Sequence, residues 1–266
     1  MTQPKDFTPD QIADFTEVGY QRLLALALKA YRIVDYPELL QASSGLVWRH
    51  DVDFSPQRAL KLAGFEQALG IRACYFFLLS SPHYNLLEAE SRRILARILE
   101  LGHEVGLHFD ATVHAVADHR QLEAALAFER QLLEALSGKP VPVFSFHNPG
   151  AFELSCDALR YAGMYNTYAR PFQTDIGYCS DSNGYWRYHR LEDVLRQAAH
   201  PRLQVLTHPE WWQAEPMYPR ARIERCLQGR SAAQLASYDR LLMANNRVNA
   251  ARPSHREPSL KEGTID

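Results

Sequence analysis

Along this chain the spacing of apolar positions switches between a period of two and a period of three to four, which predicts strands and helices in alternation. A helix is expected over Thr8 to Tyr31, with Pro9 in its first turn and Ile12, Phe15, Leu23, Leu24, Ala27 and Tyr31 on its apolar side. From Leu46 the alternation begins with an apolar strand through Val47 to Asp53. Ser55-Pro56 then supplies an N-cap and first helical residue for a helix ending near Gly70. A second strand covers Ile71 to Leu79, a helix follows over Arg92 to Leu101 with Gly102 as its stop, and Glu104 to His108 is a short third strand. Leu122, Leu126, Leu133 and Leu136 mark a long helix halted at Ser137-Gly138. Val141 to His147 is a fourth strand, closed by the loop Asn148-Pro149-Gly150. Three more strands are expected at Asn166 to Arg170, Ile176 to Ser180 and Leu203 to His208, with a helix over Leu191 to Ala199. Pro219 to Asn245 is a last helical stretch, with a break expected near Gly229.

About seven strands alternating with helices imply an α/β fold in which parallel strands, joined by right-handed crossovers, curl towards a barrel and share one C-terminal rim. The expected organisation is a helical extension at residues 1–45 packed on the barrel, a barrel domain at 46–248, and a polar, disordered tail at 249–266.

Composition narrows the function. A chain of 266 residues with 46% hydrophobic and 23% charged content can bury one large core. A net charge of −2 and no long Lys/Arg run argue against nucleic acid as a partner. Met1 to Asp10 lacks the order of a secretory leader and no apolar run is long enough for a bilayer, so a cytoplasmic location without an integral membrane segment is expected. Cys74, Cys156, Cys179 and Cys226 form no Cys-x-x-Cys pair, so neither a zinc knuckle nor a small disulfide scaffold is suggested.

The candidate chemistry gathers where strands end, in Arg49-His50-Asp51-Val52-Asp53, His103 to Asp110, Ser145 to Pro149 and Leu206 to Glu210. Residues two apart in a strand face the same way, so Asp51 and Asp53 point into one site while His50 faces the helical layer. Two carboxylates at one mouth call for a cation or a proton between them; a divalent metal satisfies that need, and His108, His147 and His208 can supply nitrogen ligands or proton carriers.

Over about Leu46 to Trp212 this order of motifs resembles the polysaccharide deacetylase family, also called carbohydrate esterase family 4 or NodB-like. The fit is closest at Gly102 to His108, which matches the family's Gly-His-Glu-(Ile/Val)-Gly-x-His segment. The resemblance implies a distorted (β/α)7 barrel with extra N- and C-terminal helices. It implies Asp51 as general base, Asp53 and His108 as ligands of one divalent metal, and His208 in Leu206-Thr207-His208 as general acid. Asp181 would steady His208, with Trp186 in the same motif. The chain departs from the pattern where the second metal histidine should fall, at Thr112, and where the third motif should carry an Arg. His147 is the expected third ligand, with Asp110 and His114 as rivals between which the sequence does not choose, and Arg49 or, preferably, Arg187 is expected to restore the lost positive charge. Asn148, beside His147, belongs with these substrate-facing candidates.

The implied activity is removal of an acetyl or formyl group from an amide nitrogen of a small N-acyl sugar or sugar conjugate, with zinc as the expected metal. Two other readings compete: a metal-free hydrolase of a ureide-type C–N bond, and an inactive sugar-binding relative using Trp186, Trp211 and Trp212 as stacking platforms. Trp211 and Trp212 fit a core as well as a sugar-binding wall. Oligomeric state is left open.

Overall fold

A computed structural model describes residues 9–186 and 188–250. The chain divides into two compact units, Met1–Cys226 and Leu227–Asp266. The first carries α1 (Pro9–Ala13), α2 (Glu17–Ala30), α3 (Tyr36–Gln41), β1 (Gly45–Val52), α4 (Pro56–Ala68), β2 (Cys74–Leu78), α5 (Ala89–Glu100), β3 (Glu104–Phe109), α6 (His119–Ser137) and β4 (Val143–Phe146). It continues with α7 (Ala151–Ser155), β5 (Arg160–Tyr161), β6 (Met164–Asn166), α8 (Arg170–Thr174), β7 (Gly177–Ser180), α9 (Leu191–Gln197) and β8 (Arg202–Thr207). The unit boundary falls inside α10 (Pro219–Ala244). Within the second unit, Asn249 Nδ2 donates to Asp239 Oδ1 at 2.7 Å.

The strands form one sheet in the order β5-β6-β4-β3-β2-β1-β8-β7. Seven run parallel, and the two-residue β5 pairs antiparallel to β6. This is the expected (β/α)7 arrangement as a distorted, open barrel, since β7 and the β5-β6 pair are sheet edges that do not bond to one another. β1 and β2 are buried at every position, as parallel strands covered on both faces must be. Outward side chains such as Leu46, Trp48, Leu203 and Val205 join the large helical layer. Inward ones, Val47, Cys74, Phe76 and Val143, form a smaller cluster with Tyr36 and Leu39 of α3 and Phe172 of α8, which closes the lumen below the site.

Local chemistry sets the element ends. Thr16 Oγ1 accepts from the Gly19 amide at 3.0 Å and starts α2, so the single helix expected over Thr8 to Tyr31 is two. Ser55 caps α4 and Asp118 caps α6, which ends on left-handed Gly138 with φ +65°. Gly106 of β3 meets a different demand: a Cβ there would lie 2.6 Å from the Phe76 ring, so only glycine lets that ring fill the lumen floor. Two further expectations change. The strand placed at Asn166 to Arg170 is Met164–Asn166, because Arg170 and Pro171 open α8, and α10 runs through Gly229 without a break. The expected disordered tail falls, from Ala251 onward, outside the described residues.

Candidate metal centre

Parallel register brings the polar strand ends to one rim. His108 pairs with Ser145 across β3 and β4, Asp51 with Phe76 across β1 and β2, and Ser180 with Leu206 across β7 and β8. Asp53, His147, Asp181 and His208 each follow within one residue of a strand end. Asp53 Oδ1 lies 3.2 Å from His108 Nε2 and 3.5 Å from His147 Nδ1, and the two imidazole nitrogens are 3.1 Å apart. Asp53, His108 and His147 thus offer three ligand atoms within 4.8 Å of one another, a group able to hold a metal ion.

The surrounding contacts orient these groups. His108 Nδ1 is 2.8 Å from Ser145 Oγ, so with its proton on that nitrogen the ring presents Nε2 to the cluster. His147 turns Nδ1 to the cluster and leaves Nε2 2.9 Å from the Asn148 amide. Buried Arg49 donates to Asp51 Oδ2 at 2.7 Å and to Thr167 Oγ1 at 2.8 Å. Asp51 Oδ1 is buried without a hydrogen-bond partner. Such an oxygen at the edge of an Asp-His-His cluster fits a divalent cation, or a water polarised by one, better than it fits a closed ion-pair network.

On the other side, Asp181 accepts from both the His208 backbone amide at 3.0 Å and the Trp212 indole at 3.1 Å, and its Oδ1 lies 2.7 Å from His208 Nδ1. His208 Nε2 is left facing Asp53 Oδ2 at 4.0 Å.

Electrostatics divides the roles. Burial pushes Asp51 up, but Arg49 first and then His108 and His208 outweigh it and hold the carboxyl below its usual range. Burial likewise opposes ionisation of Asp53, and the facing imidazoles of His108 and His147 overcome it and hold that carboxyl well below the usual range. For His208, burial acts downward and the Asp181 carboxylate more than offsets it, raising the imidazole to about 10. The rim therefore carries ionised carboxylates at the cluster and a protonated imidazole across from them.

The other expected site residues are placed as follows. Asp110 turns back to accept from the Thr112 amide at 2.9 Å and hydroxyl at 2.6 Å, and His114 is held by Glu129 at 2.6 Å. Neither joins Asp53 and His108 in the cluster. Trp186, Trp211 and Trp212 are buried, the first donating to Asp14 at 3.2 Å; Trp186 and Trp212 pack in the core, whereas Trp211 also lines the cavity over the rim. Arg187 lies outside the described residues, whereas Arg49 makes the contact to the expected base. Ser145 was not singled out from the sequence. Its signal is the same-face spacing of Ser145 and His147. A cavity of about 700 Å³ opens over the rim, with the stacked Phe54 and His83 rings on one wall and His208 and Trp211 on another.

Among the described residues, no helix is long and apolar enough to cross a membrane. No family model and no curated protein matches the chain. Solved structures similar to it include a CE4 esterase from Streptococcus mutans, at 14% identity over 84% of this chain and 92% of that one, TM-score 0.47. Another is a peptidoglycan deacetylase from Bacillus subtilis, at 16% identity over 76% and 95%, TM-score 0.38. A third is a mutant, with restored enzymatic activity, of a CE4 family pseudoenzyme from Bacillus anthracis, at 14% identity over 71% of this chain, TM-score 0.38. The chain spans only 63% of that protein's length. At these identities and TM-scores the likenesses assign no role to any residue here. The expected cytoplasmic location does not stand: the similar structures include a peptidoglycan deacetylase, and the first residues of the sequence fix no compartment.

Proposed function

We propose that this chain is a metal-dependent hydrolase that removes an acetyl or formyl group from an amide nitrogen of a sugar-type substrate. On this reading it is a divergent member of the polysaccharide deacetylase family in which His147, following β4, supplies a ligand usually found four residues after His108. The observation that carries the reading is the convergence of Asp53, His108 and His147 at one rim, flanked by an Arg49–Asp51 pair and an Asp181–His208 pair.

Asp53, His108 and His147 would hold one divalent ion, with zinc favoured by a mixed imidazole and carboxylate set. Bound there, such an ion polarises an acyl carbonyl and acidifies water. Asp51, kept ionised by Arg49, takes a proton from the attacking water as its oxygen bonds to the carbonyl carbon. His208, kept protonated by Asp181, gives its Nε2 proton to the leaving nitrogen as the C–N bond breaks, releasing a carboxylic acid and a free amine. The cavity of about 700 Å³ has room for a monosaccharide-sized substrate, and Asn148 and Asn183 line it with amides suited to hydroxyl groups.

The test is elemental mass spectrometry of the purified protein beside Asp53→Ala, His108→Ala, His147→Ala and Asp51→Asn, with deacylation of N-acetylated sugars followed in parallel. Near-stoichiometric metal is expected in the wild type and in Asp51→Asn, with loss in the three alanine variants and turnover lowered at least a thousandfold, roughly, in Asp51→Asn. A wild type that takes up no metal on reconstitution would sink the proposal in favour of a metal-free C–N hydrolase.

A further inference from the structure

Asp181 has no exposed surface and divides its two oxygens between different partners. Oδ1 lies 2.7 Å from His208 Nδ1, while Oδ2 accepts from the Trp212 indole at 3.1 Å. The His208 backbone amide is 3.0 Å from each oxygen, so it anchors the carboxylate without choosing which one meets the imidazole. The last torsion of an aspartate is broad and nearly two-fold, and a donor that reaches one oxygen only is what narrows it. Among the described residues, the Trp212 indole is the one side-chain donor to Oδ2.

The indole is held in turn by the segment that precedes β1. Phe15, which links α1 to α2, has its ring centroid 5.0 Å from that of Trp212, and Tyr20 of α2 lies 4.9 Å from it. Phe15 is itself fixed between the Trp186 ring, stacked at 5.0 Å, and the Arg222 guanidinium, 4.5 Å from its centroid. Backbone bonds tie the same two stretches together: the Gln213 amide donates to the Phe15 carbonyl at 3.2 Å, and the Glu17 amide donates to the Gln213 carbonyl at 2.8 Å. Arg58 also donates to the Trp212 carbonyl. Phe15 and Trp212 have no exposed surface, so neither ring has room to swing. A buried indole needs an acceptor for its N–H, and any backbone carbonyl would satisfy that need. Here the acceptor is the carboxylate that pairs with His208.

We propose that Trp212, backed by Phe15 from the segment upstream of β1, is a positioning residue for His208: its N–H fixes the Asp181 carboxylate so that Nε2 of the imidazole is aimed at the leaving nitrogen. The inference rests on the reading of His208 as the general acid. Proton delivery depends on that aim, because a general acid acts only within hydrogen-bond reach of the departing atom. Among the described residues no hydrogen bond or ring contact links Trp212 to Asp53, His108 or His147, so its effect falls on proton transfer and not on the metal ligands.

The experiment compares two acetyl donors on full-length protein with equimolar zinc: 4-nitrophenyl acetate, whose phenolate leaves without a proton, and 4-nitroacetanilide, whose nitrogen leaves only with one. The readout is the ratio of their kcat/KM values, which cancels changes in the folded fraction. Trp212→Phe should raise the ester-to-anilide ratio about tenfold, and Phe15→Leu about threefold. Trp212→His loses ring volume as phenylalanine does but keeps an N–H at the same place on a five-membered ring, so it should bring the ratio back towards wild type. Independently of turnover, protein labelled with ¹⁵N at its indoles should show the Trp212 resonance, identified by its Overhauser contacts to the Phe15 ring, displaced by Asp181→Asn. An unchanged ratio in Trp212→Phe, a ratio in Trp212→His no lower than in Trp212→Phe, or an indole resonance that ignores Asp181→Asn would overturn the proposal. Should thermal melts show that the Trp212 variants do not fold, Phe15→Leu and the indole spectrum decide it. A wild type that cleaves neither donor counts against the hydrolase reading instead, and the indole spectrum then decides alone whether Trp212 holds Asp181.

Discussion

The two faces of β1 carry equally dense sets of titratable groups with opposite character. On the outer face His50 Nε2 lies 2.6 Å from Glu66 Oε1, Thr207 Oγ1 lies 2.9 Å from His50 Nδ1, and Tyr75 donates to Glu66 Oε2 at 2.6 Å. Tyr20 also donates to Glu66, while His103 bridges Ala63 and Ala73 backbone atoms at 2.9 and 3.2 Å. His50 and Glu66 have no exposed surface, and both carboxylate oxygens of Glu66 are bonded. On the inner face Asp51 keeps an unpaired oxygen and Asp53 lies beside a cavity. A closed network of this kind fixes position, and an open one invites a ligand. Burial and charge alone do not distinguish them. Completeness of hydrogen bonding does.

Substitutions can break that contrast, beginning with the closed side. Glu66→Leu should cost about 3–5 kcal/mol, because it removes the buried acceptor shared by His50, Tyr20 and Tyr75, and thermal denaturation would register the loss without a specific loss of metal affinity in the folded fraction. On the open side, Ser145→Ala should weaken metal affinity about 10- to 100-fold while leaving the melting temperature near wild type, because it removes only the partner that orients His108. Competition with a chromogenic chelator measures this. If the two variants exchanged these signatures, the distinction between a closed scaffold and an open site would fail.

pH sharpens the comparison next. With its imidazole raised to about 10, His208 contributes stability that is full below the unfolded value near 6.5 and is lost as pH rises through about 10. Asp53, depressed well below 3.8, contributes the reverse, lost only as pH falls through its folded value. Urea titrations of metal-free protein between pH 6 and 11 should therefore show a decline that Asp181→Asn reduces, since Asp181 is the largest of the carboxylates that raise His208. The smallest effect expected is that of Asp110→Asn: metal content unchanged and stability within about 0.5 kcal/mol, since the side chain only caps its own turn.

Most of the barrel and rim was legible because the signals are local. Ser55-Pro56, Gly102 and Gly138 mark helix ends through backbone geometry, and strand alternation separates Asp51 and Asp53 from His50. What was not legible depends on where extended chain stops or on distant partners. Asp110 would share a face with His108 only if β3 continued, but β3 ends at Phe109 and Asp110 folds back onto Thr112. His114 is drawn to Glu129 on α6, a contact that no local spacing reveals. β5, α7 and α8 are two to five residues long, too short to show a period. α3 escaped notice although Asp35 caps it, because six residues give its apolar face only one full turn and a half, roughly.

Gly106 has a historical consequence. With the Phe76 ring 2.6 Å from where its Cβ would sit, no larger residue can enter at 106 until position 76 has first shrunk, and a smaller residue at 76 leaves a void under the rim until 106 grows. Each single step is expected to pass through a less well packed protein. In any lineage that carries this floor, the two positions are expected to change together or remain as they are, so that Gly106 records the order in which substitutions could be accepted.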